Sequence, residues 1–240
     1  MRVNRLAYLS QISIFEAMPL EELLEMDRLK AIDHFRHVPA HTVVQTPETE
    51  REGLFFVKEG KLRLYKLHPD GRQFTLGILS KGNLFGELES FSLGTRRVYI
   101  ETMEPSFLCS MTDAQLERVL LSRPRLALKL LKALSDQLKE RDDRLEQLAF
   151  SDLRGRVIHL LTTLAARFGA AGDDGYVAID LRLSHQEIAN MLGATREAVS
   201  VVMRELVKEG RIRTGRMSVA LALEAGPELA LQPQSQDADG

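Results

Sequence analysis

The chain has 240 residues, 44% hydrophobic and 28% charged, with a formal net charge of −2. Its length exceeds that of a usual single domain, and the composition is that of ordinary globular protein, so two modest domains are expected. Near-neutrality excludes a chain coated in nucleic acid, and the lone Cys109 excludes an intrachain disulfide and a multi-cysteine zinc or iron-sulfur site.

No apolar run is long enough to cross a bilayer, so no membrane partner is expected. Arg2 and Arg5 ahead of Leu6 to Leu9 imitate the start of a signal peptide, but Ser10, Gln11 and Ser13 interrupt the apolar stretch. A cytoplasmic protein is expected.

Residues 1 to about 35 read as short helices, with Pro19 near a helix start and Leu20, Leu23, Leu24 and Leu29 periodic after it. From Thr42 to Met111 the apolar period shortens to two. Leu54–Val57, Leu62 with Leu64, Phe74–Ile78 and Val98–Ile100 are strand candidates, punctuated by turns at Gly60, Pro69-Asp70-Gly71, Gly82 and Gly94. Many short strands between glycine turns predict a sandwich or barrel, with Cys109 as a small core residue. His34, His37 and His41 lie close in sequence; their spacing suggests surface residues at a helix-to-strand junction rather than a metal site, and no metal is expected.

Thr112 to Gln115 is a capping box, and Pro124 opens a long helix. Along it Leu131, Leu134, Leu138, Arg141, Leu145 and Leu148 alternate in steps of three and four, the spacing of a coiled-coil seam, which predicts a parallel homodimer. After Phe150-Ser151 an amphipathic helix carries Val157, Ile158, Leu160, Leu161 and Leu164. Gly169 to Gly175 reads as a loop and Tyr176 to Asp180 as a strand.

The most informative stretch is Leu183 to Gly210. Ser184 and Glu187 form a reciprocal capping box; Ile188, Ala189 and Leu192 give the helix an apolar face, and Gly193 stops it. Thr195 caps a second helix with Ala198, Val199, Val202, Met203, Leu206 and Val207 at helical spacing. Two short helices joined by a glycine turn form a helix-turn-helix. The second presents Arg196, Glu197, Ser200, Val201 and Arg204 away from its apolar stripe. Arginine pairs bidentately with guanine and glutamate accepts from cytosine N4, so this is a DNA-reading face.

A β-hairpin follows, turning at Thr214-Gly215, whose Arg211, Arg213 and Arg216 suit phosphate contacts; Ser184, His185 and Thr195 at the helix starts complete the expected DNA contacts. From Arg182 to Arg216 bases outnumber acids, so a positive patch sits on a near-neutral molecule. The whole is an α+β chain. Residues 1–123 are expected to form a domain with a β-roll, 124–150 a dimerisation helix, 151–224 a winged helix-turn-helix, and 225–240 a disordered tail.

This arrangement resembles the cyclic-AMP receptor protein and fumarate-nitrate regulator superfamily of bacterial transcription factors. The similarity spans about residues 15 to 222. It is carried by Phe85-Gly86-Glu87-Leu88 followed by Arg97, by the hinge Leu148-Ala149-Phe150, and by Leu183-Ser-His-Gln-Glu-Ile-Ala with Thr195-Arg-Glu-Ala-Val-Ser200. The resemblance implies a roll that senses a small molecule, a homodimer bound to a two-fold symmetric site on double-stranded DNA, and RNA polymerase as a partner of an activator. Arg196 and Glu197 match the family's first two base readers. Val201 stands where the third is commonly arginine, which implies a site altered at one base pair per half-site.

In the cyclic-AMP-binding members the glutamate of Gly86-Glu87-Leu88 holds the ribose and an Arg-Ser pair the phosphate. Here Arg97 is kept, Val98 replaces the serine, and Arg141-Asp142 replaces the pair that receives the adenine. Each hydrogen bond lost in a buried site costs on the order of 1–3 kcal/mol. Arg141, read as a seam residue, faces its copy across the dimer and needs an anion. Three alternatives stay open: cyclic AMP, an anionic metabolite bridging Arg97 and Arg141, and a dimer pre-set without any effector. The cysteine cluster of the iron-sulfur branch and the histidine of the haem branch are missing at the matching places, so neither cofactor is expected. No catalytic grouping points to an enzyme. A sequence-tolerant architectural DNA-binding protein is the alternative reading, and Glu197 argues against it, since a carboxylate opposes purely electrostatic binding.

Overall fold

In a computed structural model the described residues are 33–49, 53–88, 92–172 and 175–223. The chain divides into two compact units, Met1–Glu146 and Gln147–Gly240. The helices expected before residue 33 and the tail beyond 224 lie outside the described residues.

The first unit holds β1 (Asp33–Val38), β2 (Val43–Gln45), β3 (Gly53–Glu59), β4 (Leu62–Leu67), β5 (Gln73–Leu79), β6 (Leu84–Glu87), β7 (Tyr99–Thr102) and β8 (Ser106–Met111). They pair antiparallel into two four-stranded sheets, β1-β8-β3-β6 and β2-β7-β4-β5. Period-two alternation sorts their side chains. Val57, Leu62, Leu64, Val98, Ile100 and Leu108 form one cluster drawn from both sheets. Leu54 and Phe56, from the opposite face of β3, join Cys109 and Met111 in a second cluster. Leu116 and Val119 of α1 (Asp113–Ser122) and Leu126 and Leu130 of α2 (Pro124–Phe150) complete it. Cys109 is thus a core residue, as expected.

Two readings near the start of this unit are corrected. Asp33–Val38 is a strand rather than helix, because its backbone pairs with β8 through Arg36↔Leu108 and Val38↔Ser106. His37 therefore lies within a strand, stacked on Phe107 at 4.2 Å, and His41 lies in the following turn at φ 55°.

Helix α2 is as long as its sequence implied, and it carries two apolar stripes rather than one. Leu126, Leu130 and, in part, Leu134 pack on the roll. Leu128, Leu131, Leu138 and Leu145 are 67%, 61%, 60% and 63% exposed. The single seam expected through Leu131, Leu134, Leu138, Arg141, Leu145 and Leu148 merges the two: Leu134 belongs to the roll side. Arg141 does too, since its guanidinium lies where a Cβ on Gly94 would stand. Arg144, one turn on, donates from Nη1 to the Leu76 carbonyl of β5.

The second unit contains α3 (Leu153–Phe168), β9 (Gly169–Ala171), β10 (Tyr176–Ile179), α4 (His185–Leu192), α5 (Arg196–Lys208), β11 (Ile212–Gly215) and β12 (Ser218–Ala222). Its sheet runs β11-β12-β10-β9. Val157, Leu161, Ile188, Val199, Met203, Leu206, Ile212 and Val219 are buried. Arg156 reaches from α3 to the Leu192 carbonyl (3.3 Å), one of the orphan acceptors at the end of α4.

Three details differ from the sequence reading. Gly169–Ala171 is a strand on β10 rather than loop. The hairpin turns at Arg216-Met217, two residues later than expected, because Gly215 still pairs with Ser218 and Met217 takes the positive φ (60°). Val207, placed in the apolar stripe of α5, is 41% exposed.

Candidate nucleic-acid interface and sensor site

The helix-turn-helix forms from local chemistry. Ser184 Oγ accepts from Glu187 N (3.1 Å), and the Glu187 carboxylate accepts from Ser184 N (2.6 Å). Gly193 caps α4 at φ 62°, ψ 34°, a left-handed geometry that costs glycine nothing and other residues roughly 1–2 kcal/mol. Thr195 Oγ1 accepts from Ala198 N (3.2 Å) and starts α5. With Val199, Val202, Met203 and Leu206 buried, Arg196, Glu197, Val201 and Arg204 are left on the exposed face. Val201 is 45% exposed, an apolar side chain on a face otherwise polar. Arg204 Nε donates back to the Ser200 carbonyl (3.1 Å).

Ser200 and His185 are tied together, which spacing did not suggest. His185 Nδ1 lies 2.8 Å from Ser200 Oγ, and that hydroxyl donates to the Arg196 carbonyl (2.8 Å). The start of α4 is thereby fixed to the exposed face of α5. His185, one of the DNA contacts expected from the sequence, thus has its Nδ1 engaged within the domain.

The three hairpin arginines occupy different surroundings. Arg211 is half-buried. Arg213 is exposed, with its guanidinium carbon 3.9 Å from the centre of the Tyr176 ring, and Tyr176 donates to the Gly210 carbonyl (2.7 Å). Arg216 is exposed at the hairpin tip. Beneath them Arg154 of α3 bonds Glu209 and lies 3.8 Å from Glu205. The hydrogen bond from Arg154 holds the Glu209 carboxyl below its ordinary range.

In the roll, Gly86 adopts φ 126°, where a Cβ would run into the Gly53 carbonyl, so only glycine lets β6 approach β3 here. Glu87 follows it. Its Oε1 accepts from Thr95 N (3.0 Å) and Thr95 Oγ1 (2.9 Å), whereas Oε2 is buried and has no hydrogen bond among the described residues. Arg96 Nε stands 3.6 Å from Oε2, an ionic neighbour and not a bonded one. Arg97 is exposed with left-handed backbone, φ 57°.

Leu88 and Val98 are buried in the two apolar clusters, so Val98 serves the core and offers no polar atom to a ligand. Asp142 is exposed on α2. Sequence reasoning missed Thr95 and Gln45, both buried, which fix this loop. Gln45 Nε2 donates to the carbonyls of Thr95 (2.6 Å) and Val98 (3.4 Å). A polar residue at an inward strand position was the available signal for Gln45.

Known proteins share both halves. Residues 35–123 match the cyclic nucleotide-binding domain, and 155–224 the Crp-like helix-turn-helix domain. The CRP-like cAMP-activated global transcriptional regulator of Mycobacterium tuberculosis is 30% identical over 215 residues, 89% of this chain and 94% of that protein. The global nitrogen regulator of Synechocystis is 32% identical over 169 residues, 69% of this chain and 74% of that one. A CooA mutant from Carboxydothermus hydrogenoformans has a similar structure, with a TM-score of 0.70 at 29% identity, over 83% of this chain and 87% of that chain. A roll built as a nucleotide-binding fold, a helix-turn-helix of Crp type and a relative alike over nearly its whole length lead to one conclusion: the chain belongs to the CRP/FNR family of DNA-binding transcription regulators, a family of regulators and not of enzymes.

Proposed function

We propose that this chain acts as a homodimer that binds a two-fold symmetric promoter site, reads it through α5 and activates transcription by RNA polymerase in the cytoplasm. The observation that carries the reading is the exposed Arg196-Glu197 pair at the start of a helix whose other face is core. An arginine and a carboxylate at that end suit guanine and cytosine edges in a major groove. The exposed leucine stripe of α2 supports pairing of two copies, which places two α5 helices about one DNA turn, ~34 Å, apart. In this reading residues 1–123 sense, 124–150 pair, 151–224 bind DNA and 225–240 form a tail. Selection from a random DNA pool tests it. A palindromic consensus is expected; enrichment of no consensus overturns it in favour of a sequence-tolerant architectural protein.

The roll is proposed to sense a small effector through the loop from Gly86 to Arg97, or to be set active without one. Glu87 Oε2, buried with no hydrogen bond among the described residues, supports an effector that brings a donor group. The name of the mycobacterial relative makes cyclic AMP the first compound to test, and the cations Arg96, Arg97 and Arg141 make an anionic metabolite the second. DNA binding by the purified protein with cyclic AMP, cyclic GMP and keto acids decides. Tight binding unchanged by all of them rejects ligand gating.

A further inference from the structure

We infer that, of the three hairpin arginines, only Arg216 meets DNA, as a phosphate contact beside the half-site, while Arg211 and Arg213 serve the domain's own packing. The inference rests on the reading that α5 lies in the groove.

The hairpin tip is pinned to the start of the helix-turn-helix. Leu183 N, immediately before the Ser184 cap, donates to the Met217 carbonyl (3.0 Å). The His185–Ser200 bond in turn fixes that same end of α4 to the exposed face of α5. The first helix of a helix-turn-helix crosses the DNA backbone while the second enters the groove. Arg216, next to Met217, is therefore carried on the side of the domain that faces phosphate. It is exposed and has no partner among the described residues. Its hydration and charge are available to replace a condensed counterion.

Arg213 is held at the other end. Its guanidinium lies on the Tyr176 ring, and the Tyr176 hydroxyl is anchored on Gly210, beyond the last turn of α5. At 1.5 Å per residue that end lies about 20 Å from Arg196. Arg211 is half-buried there, and its charge helps to lower the Glu209 carboxyl that Arg154 holds. Neither arginine is placed to follow Arg196 onto the duplex.

The experiment is a salt titration of DNA binding by the full chain, with fluorescence anisotropy, on the selected site and on an unrelated duplex. Arg216→Ala is expected to weaken both duplexes by the same factor and to make the log–log salt slope shallower by about 0.9 per half-site. Arg216→Lys is expected to restore the slope, because a point charge suffices for a phosphate. Arg213→Ala is expected to keep the wild-type slope and lower the melting temperature. Arg196→Ala is the control: it should reduce discrimination between the duplexes. If discrimination is unchanged in that variant, the placement of α5 fails and this inference with it. If Arg196→Ala behaves as expected but Arg216→Ala keeps the full slope, or Arg213→Ala loses as much slope, the assignment of the hairpin is overturned on its own.

Discussion

Replacing Leu138 with alanine tests whether the exposed stripe of α2 is the pairing surface. Leu138 is 60% exposed in the single chain, and fully burying a leucine stabilises by about 1.5–3 kcal/mol. Some 60% of that gain is still available, ~1–2 kcal/mol per copy and ~2–4 per dimer. Alanine keeps only one of the four side-chain carbons, so the loss is ~1.5–3 kcal/mol, roughly 13- to 150-fold in the dimer dissociation constant. Helix formation itself is not harmed, since alanine is the better helix former. Leu134→Ala is the matched comparison. Leu134 packs on the roll core, so its truncation is expected to cost ~1–3 kcal/mol of folding stability and leave association nearly unchanged. Sedimentation over a concentration series measures the first effect and thermal unfolding the second. A Leu138 variant that dimerises like the parent, or a Leu134 variant that dissociates as readily as the Leu138 one, refutes the division into two stripes.

Val201→Arg is expected to add a guanine preference at one base pair in each half-site, worth ~1–3 kcal/mol in competition binding, and an unaltered consensus contradicts the placement of Val201 in the groove. Arg141→Thr removes the guanidinium from beside Gly94; DNA affinity without added effector is expected to fall roughly threefold to tenfold, and no change means that Arg141 does not set the conformation. At the β4–β5 hairpin, the Asp70 carboxyl is lowered from 3.8 to about 2, first by the Arg72 backbone N–H and then by the Arg72 and His68 side chains. Because the folded value lies below the unfolded one, this contribution is fully present above pH ~4 and is lost as the pH falls through about 2. A carboxyl titration by NMR checks it: Arg72→Ala keeps the backbone N–H and removes the guanidinium, so the midpoint should rise only part of the way toward the ordinary range, and an unmoved midpoint refutes the side-chain contribution.

The helix-turn-helix was legible because its signals are local. Ser184 with Glu187, Gly193 and Thr195 each act on backbone within three or four residues, so spacing alone located both helices. The roll's period-two strands were legible for the same reason. What escaped was decided across the fold. Gly169–Ala171 has no β-branched residue, and it is a strand only because β10 offers it partners. The hairpin turn was assigned to the glycine, whereas register with β12 passes the turn on to Met217. Thr95 and Gln45 meet Glu87 and its loop from 8 and 50 residues away in sequence, beyond any local pattern. On α2, steps of three and four generate both stripes equally well; packing of Leu126, Leu130 and Leu134 on the roll is what separates them.

That separation changes the electrostatics of pairing. With Arg141 turned to the roll, the residue that falls on the leucine stripe between Leu138 and Leu145 is Asp142. In a parallel pairing of two helices the like charges that meet are then carboxylates and not guanidinium groups. At ~6 Å and an effective dielectric between 20 and 80 their repulsion is ~0.7–2.8 kcal/mol. The Leu138 and Leu145 pairs on either side each contribute ~2–4 kcal/mol, so apolar burial outweighs the repulsion. An anion placed at the seam would meet two negative charges, whereas Arg96, Arg97 and Arg141 lie on or against the roll. The positive charge that the sequence suggested for a dimer axis therefore lies on the roll side of α2, so in the proposed pairing of two chains it would not oppose their association.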